Sequence, residues 1–61
     1  MNVITIKTIN NPEETLATKG EMFTITNKYT SFGNMWYDLA NDRIALNIRS
    51  DVFDTYFAII D

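Results

Sequence analysis

The sequence predicts a very small all-β domain, and two observations support that prediction. Ile44, Leu46 and Ile48 alternate with polar or small residues between Arg43 and Arg49, which is the period-two pattern of a strand with one buried face. Several other stretches of this 61-residue chain repeat the alternation of branched or aromatic residues with polar ones. A chain of this length is expected to form a single domain, residues 1–61, with a marginal core.

Before Gly20, the chain is predicted to form one strand and a loop. Residues 3–9 alternate branched side chains with threonine and lysine, which favours a strand. Asn11, Pro12 and two glutamates then interrupt the pattern and resemble the start of a helix. Because few apolar residues follow, we expect a loop with at most one short helical turn.

Three further strands are predicted between Met22 and Arg49. The first covers residues 22–29, a loop follows at residues 30–34, and the second strand covers residues 35–40. Asn41 and Asp42 are predicted to form a two-residue hairpin loop, since both residue types tolerate positive φ. The strand at residues 43–49 comes directly after that loop.

The segment after Ser50 allows two interpretations. Ser50 and Asp51 can begin a helix with an apolar stripe along residues 52–60. Alternatively, residues 51–55 form one tight turn and residues 56–60 form a fifth strand, which the Tyr, Phe and Ile residues there favour.

The predicted core contains Ile4, Ile6, Phe23, Ile25, Tyr37, Leu39, Ile44, Leu46, Ile48 and Phe53.

Composition argues against several classes of function. With no histidine and no cysteine, the chain lacks the ligands of the usual zinc site. No segment has the spacing of a calcium-binding loop, so we expect neither a metal nor another cofactor. No nucleophile lies beside a base, and we expect no enzymatic activity. The net charge of −3, with its aspartate excess in residues 31–61, makes nucleic acid an unfavourable partner.

The apolar segments are shorter than the roughly 20 residues that span a bilayer, so no membrane association is expected. The absence of cysteine fits a reducing compartment, and a cytoplasmic location is expected.

A longer pattern links several of these segments. Residues 19–25 read Lys-Gly-Glu-Met-Phe-Thr-Ile, and residues 35–39 read Met-Trp-Tyr-Asp-Leu. An Asn-Asp turn, the sequence Ser-Asp-Val-Phe at residues 50–53 and a final apolar strand follow. From about residue 12 to residue 60, this outline resembles small SH3-like β-barrels encoded by phages and prophages. The chain departs from them in lacking a glycine after the Asn-Asp turn.

The resemblance implies a five-stranded SH3-like barrel from a phage or another mobile element, acting in the host bacterial cytoplasm. It does not imply polyproline binding, because the Ala-Leu-Tyr-Asp-Tyr run of the SH3 domains that bind proline-rich peptides is missing.

Aromatic residues predict a surface for a protein partner. If Tyr37 and Leu39 face the core, then Trp36 and Asp38 face solvent, where a tryptophan is a strong interface anchor. In the opposite register, Trp36 is instead the largest core residue. Aspartates at the rim would steer a basic partner. The predicted partner-binding residues are Trp36, Tyr29, Phe32, Tyr56, Asp38 and Asp54.

The expected function is that of a non-enzymatic protein-binding module that inhibits or occludes a host protein, such as a defence protein. Two alternatives stay open: a small barrel that holds a nucleotide or a short nucleic acid, and a structural or assembly accessory protein. The marginal core and the surplus of aromatic residues also predict a homodimer, or a protomer completed by its target, formed by pairing of sheet edges.

Overall fold

The computed structural model describes residues 1–61 and confirms a small all-β fold with one short helix. In chain order the elements are β1 (Asn2–Thr5), β2 (Ile9–Asn10), β3 (Thr15–Ala17), β4 (Met22–Ser31), β5 (Asn34–Ala40), β6 (Ala45–Arg49), α1 (Ser50–Tyr56) and β7 (Phe57–Ile59). Five strands form one antiparallel sheet in the order β6-β5-β4-β1-β7, and β2 pairs with β3 in a separate sheet. The five main strands and the single short helix agree with the predicted fold class.

The long strand β4 holds the sheet together because it pairs with β1 through residues 22–24 and with β5 through residues 24–31. Its register shifts between Ile25 and Asn27, which leaves Thr26 as an extra residue opposite β5. Such a bulge bends a strand and increases its twist. The bulge therefore favours curvature of the sheet around the core.

Phe53 lies at the centre of an aromatic core. Its ring centroid is 4.6 Å from that of Tyr37 and 5.5 Å from that of Phe57, and Phe57 lies 5.8 Å from Phe23 in an edge-to-face arrangement. The buried apolar residues are Val3, Ala17, Phe23, Leu39, Phe53 and Phe57. Ile25, Tyr37, Ile44, Leu46 and Ile48 pack around them, as predicted.

The predicted inward face of β1 is wrong by one residue. Val3 and Thr5 are buried, whereas Ile4 is half-buried and Ile6 is 42% exposed. Apolar residues stand at both alternations of this strand, so the pattern alone does not fix the register. The buried Thr5 hydroxyl is satisfied because it donates a hydrogen bond to the Glu21 carbonyl oxygen at 2.8 Å.

The first predicted strand and the loop after it also differ from the structure. β1 ends at Thr5, and β2 and β3 form a small hairpin in place of the expected helical turn. The Asn11 side chain accepts hydrogen bonds from the Glu13 and Glu14 backbone N–H groups at 2.9 and 2.8 Å, as a helix cap would, but no helix follows. The hairpin brings Ala17 into the core.

The turn between β5 and β6 lies one residue later than predicted. The Asn41 N–H donates to the Ile44 carbonyl oxygen at 3.0 Å, so Asp42 and Arg43 form the tip. The Asn41 carboxamide oxygen accepts the Arg43 and Ile44 N–H groups at 2.9 and 3.0 Å. Because the side chain replaces a backbone acceptor, neither Asn41 nor Asp42 needs a positive φ.

The segment after β6 combines the two interpretations. α1 is longer than the favoured tight turn, and a strand follows it that begins at Phe57 and not at residue 56. Ser50 does not cap the helix, since Arg49 occupies the N-cap position without a side-chain hydrogen bond. Phe53 on the helix and Phe57 on the strand stack on each other, so tertiary packing stabilises this short helix.

Arg43 joins the β5–β6 turn to Glu21, the residue before β4, by an ion pair, and to β3 by a hydrogen bond. The Arg43 guanidinium donates to the two Glu21 carboxylate oxygens at 2.9 and 3.0 Å and to the Leu16 carbonyl oxygen at 2.7 Å. Asn41 Nδ2 donates to the same carboxylate at 2.9 Å. The hydrogen bond from Arg43 is the main reason that the pKa of Glu21 falls from its ordinary value of 4.5 to about 2.

This lowered pKa predicts an acid-sensitive contribution to stability. Because the folded state holds Glu21 ionised, its contribution is complete above about pH 4.5 and is lost as the pH falls towards 2. Urea titrations between pH 7 and pH 2.5 should show that wild type loses stability more steeply than Glu21→Gln below pH 4.5. Glu13→Gln, at an exposed glutamate without an ion pair, is the control and should follow wild type. Parallel curves for wild type and Glu21→Gln would contradict the prediction.

Candidate protein-binding surface

The end of the β4–β5 hairpin projects beyond the rest of the sheet. β1 pairs with β4 only through residue 24, and β6 pairs with β5 only from Trp36 onwards. Residues 30–35 therefore form a two-stranded extension without a further strand on either side. Residues 29–37 are also the longest stretch of the chain without a charged side chain, nine residues in all. We call residues 29–37 the uncharged hairpin.

Phe32 at the tip of the uncharged hairpin has an unusual environment and backbone. Its side chain is 101% exposed, so it packs against nothing in the protein. Ser31 pairs with Asn34, so Phe32 and Gly33 form a two-residue turn, with φ values of +51° and +79°. Positive φ at both positions is typical of type I′ turns, where Asn-Gly is preferred and a bulky residue is strained. The broad loop predicted at residues 30–34 is thus a tight turn.

Other apolar side chains of the uncharged hairpin are also exposed. Met35 is 44% exposed and Tyr29 is 37% exposed. Aromatic and methionine side chains are enriched at the centres of protein interfaces, and charged ones are depleted there. The composition of the uncharged hairpin matches that of an interface centre.

Trp36 lies on the predicted face of the sheet, but its side chain is only partly accessible. Tyr37 and Leu39 pack in the core, so Trp36 and Asp38 point to the outer face. Trp36 lies between Tyr29 on β4 and Arg49 on β6 in the register, and it is half-buried. Its indole Nε1 is fully shielded and has no hydrogen-bond partner. Trp36 is therefore a half-buried residue of the sheet, and Phe32 is the fully exposed aromatic residue of the hairpin.

The unpartnered indole N–H predicts that Trp36→Phe is well tolerated. The substitution removes a shielded donor, which costs about 1–3 kcal/mol when unsatisfied, and loses some packing area. We expect Trp36→Phe to change the free energy of unfolding by less than about 1 kcal/mol and Trp36→Ala to lower it by about 2 kcal/mol. Urea denaturation measures both values. An equal loss for both variants would show that the N–H group stabilises the fold.

Asp38 is part of a hydrogen-bonded group next to Trp36. Asn47 Nδ2 donates to Asp38 Oδ1 at 2.8 Å and to the Tyr29 hydroxyl oxygen at 2.7 Å. Because a carboxylate only accepts, these contacts fix the orientation of the Asn47 amide. Asp38 and Asn47 also line a surface concavity of about 350 Å³ together with Thr26, Ala40 and Ala45. The sequence pattern did not identify Asn47, whose role depends on pairing between strands.

The predicted partner site is divided between two faces of the sheet. Tyr29, Phe32, Trp36 and Asp38 all lie on the β4–β5 hairpin. Tyr56 and Asp54 lie on α1, which packs against the sheet face that carries Tyr37, opposite Trp36. Tyr56 packs against the core and Asp54 is exposed.

Several of the charged side chains have structural partners. Arg49 donates to both Asp51 carboxylate oxygens at 2.6 and 2.7 Å, and this hydrogen bonding lowers the pKa of Asp51. The Asn2 backbone N–H and side-chain amide each donate to Asp61 at 2.8 Å and lower its pKa. No group of three or more acidic side chains has a geometry that could hold a metal ion.

No protein-family model, no curated protein and no solved structure matches this chain. The single helix, of seven residues, is too short to cross a membrane.

Proposed function

We propose that this chain is a non-enzymatic protein-binding module and that Phe32 is the anchor of its binding surface. The observation that carries the proposal is the fully exposed Phe32 side chain in a left-handed backbone conformation. A phenylalanine at this position stabilises nothing in the isolated domain and strains its backbone. Local strain of this kind clusters at functional sites.

The surroundings of Phe32 support a protein partner. Tyr29 and Met35 add exposed apolar surface within the uncharged hairpin, and Asp38 stands at its base. Anchors of this kind fill a pocket in the partner, while neighbouring contacts exclude water. Following the resemblance to phage-encoded barrels, we further propose that the partner is a host protein whose surface the module occludes.

Capture from a bacterial lysate, with identification by mass spectrometry, tests the proposed function. Wild type is compared with Phe32→Asn, which removes the anchor and suits the turn. Ile60→Asn is the matched control, because Ile60 is 49% exposed and its N–H bonds to Asn2 at the β1 side of the sheet. We expect a protein that wild type and Ile60→Asn retain and Phe32→Asn loses. Equal capture by all three baits would contradict the role of Phe32.

Two further measurements test the nucleotide-binding alternative and the predicted homodimer. Nucleotides retained by the purified chain, with no captured protein, would favour the nucleotide-binding barrel. Sedimentation equilibrium at micromolar concentration tests the homodimer. A wild-type dimer that Phe32→Asn converts to a monomer would make a second copy of this chain the partner of the hairpin.

A further inference from the structure

Asp38, Asn47 and Tyr29 form a hydrogen-bonded group in which two acceptor oxygens have no donor. The two Nδ2 hydrogens of Asn47 are already used on Asp38 Oδ1 and the Tyr29 hydroxyl oxygen. No protein donor reaches the second Asp38 carboxylate oxygen or the Asn47 carboxamide oxygen. Both therefore remain free acceptors beside the concavity of about 350 Å³ that these residues line. We call Asp38, Asn47 and this concavity the Asp38 acceptor site.

No cation of the chain neutralises Asp38. The two ion pairs of the structure join Arg43 to Glu21 and Arg49 to Asp51. Lys28 lies opposite Tyr37 in the register, so its side chain points to the other face of the sheet. Asp38 is nevertheless half-buried on β5. A partly desolvated carboxylate without a cation favours a positively charged partner group.

We propose that the Asp38 acceptor site binds an arginine side chain of the protein partner, an inference that rests on the proposed function. A guanidinium is planar and has five donors and no acceptor, which matches the free carboxylate and carboxamide oxygens of this site. Trp36 precedes Asp38 by two residues on the same face, and Tyr29 pairs with Trp36, so aromatic surface lies next to the carboxylate. Ala40 and Ala45 have short side chains and leave room for the stem of an arginine.

NMR titration of the ¹⁵N-labelled full chain with N-acetyl-arginine amide tests this site without the partner. We expect saturable shifts confined to the backbone amides of Thr26, Asp38, Ala45 and Asn47. N-acetyl-citrulline amide, the neutral isostere, should give no saturable shift. Asp38→Asn should weaken arginine binding at least about tenfold, while Glu13→Gln, at an exposed carboxylate that does not line the concavity, leaves it unchanged.

Three results would overturn the arginine site. The shifts could grow linearly with the concentration of N-acetyl-arginine amide, persist unchanged in Asp38→Asn, or match the shifts that N-acetyl-citrulline amide causes. The result is separable from the proposed function, because lysate capture depends on Phe32 and the titration on Asp38. Saturable arginine binding with no Phe32-dependent capture would leave the site standing and reject the anchor. The reverse combination would leave the anchor standing and reject the arginine site.

Discussion

Phe53→Ala is expected to lower the free energy of unfolding by about 3–5 kcal/mol, most of the stability of a domain this small. Phe53 is 3% exposed and contacts both the Tyr37 and Phe57 rings, so its removal opens a cavity where the sheet, α1 and β7 meet. Urea denaturation followed by far-ultraviolet circular dichroism measures the loss. If the loss leaves no folded population at 25 °C, the variant will show the spectrum of an unfolded chain in the absence of urea.

Two control variants separate the cavity from a general effect of truncation. Phe53→Leu fills most of the volume and should cost clearly less than Phe53→Ala. Leu46→Ala, at a half-buried residue of the edge strand β6, should also cost less. A Phe53→Ala variant as stable as Leu46→Ala would show that the aromatic cluster is not the centre of the core.

Phe32→Asn is expected to change stability and binding in opposite directions. Asparagine adopts the left-handed conformation readily, and the fully exposed Phe32 ring has no contacts to lose. The free energy of unfolding should rise by about 1 kcal/mol, which corresponds to an increase in melting temperature of about 4–8 °C. Affinity for a partner captured as described above should fall at least about 30-fold.

Thermal melts and binding isotherms on the same protein preparations make this comparison. Ile60→Asn also replaces an exposed apolar side chain, but at a residue without positive φ, so it should not stabilise the fold. A melting temperature that falls in Phe32→Asn would show that Phe32 contributes to folding. Unchanged affinity would remove Phe32 from the interface.

Local patterns were sufficient to predict the class of the fold and the outward orientation of part of the proposed binding surface. The alternation of Leu39 with polar or small neighbours, and of Ile44, Leu46 and Ile48 with theirs, predicted strands whose apolar side chains pack in or against the core. Because successive residues of a strand point to opposite faces, Trp36 and Asp38 were expected on the outer face if Tyr37 faced inward. Tyr37 does face inward. Where the alternation is regular, only one orientation of the strand buries its apolar side chains, so the pattern determines which residues face the core.

Other features depended on contacts between residues far apart in the sequence. β1 has branched residues at both alternations, and its pairing with β4 and β7 placed Val3 and Thr5 inward. α1 has only seven residues, too few to be stable alone, and forms because Phe53 packs against Tyr37 and Phe57. The folded chain alone showed that Asn47 joins Tyr29 to Asp38.

The sequence by itself thus determined a small all-β domain with an uncharged aromatic stretch at residues 29–37. The tertiary structure decided that the end of this stretch projects as a hairpin, because β1 pairs with β4 only through residue 24 and β6 pairs with β5 only from Trp36 onwards. It also placed Phe32 in the strained turn and separated Tyr56 and Asp54 from Trp36. Alternation depends on neighbouring residues, whereas strand lengths, turn geometry and the packing of α1 depend on which distant segments pair.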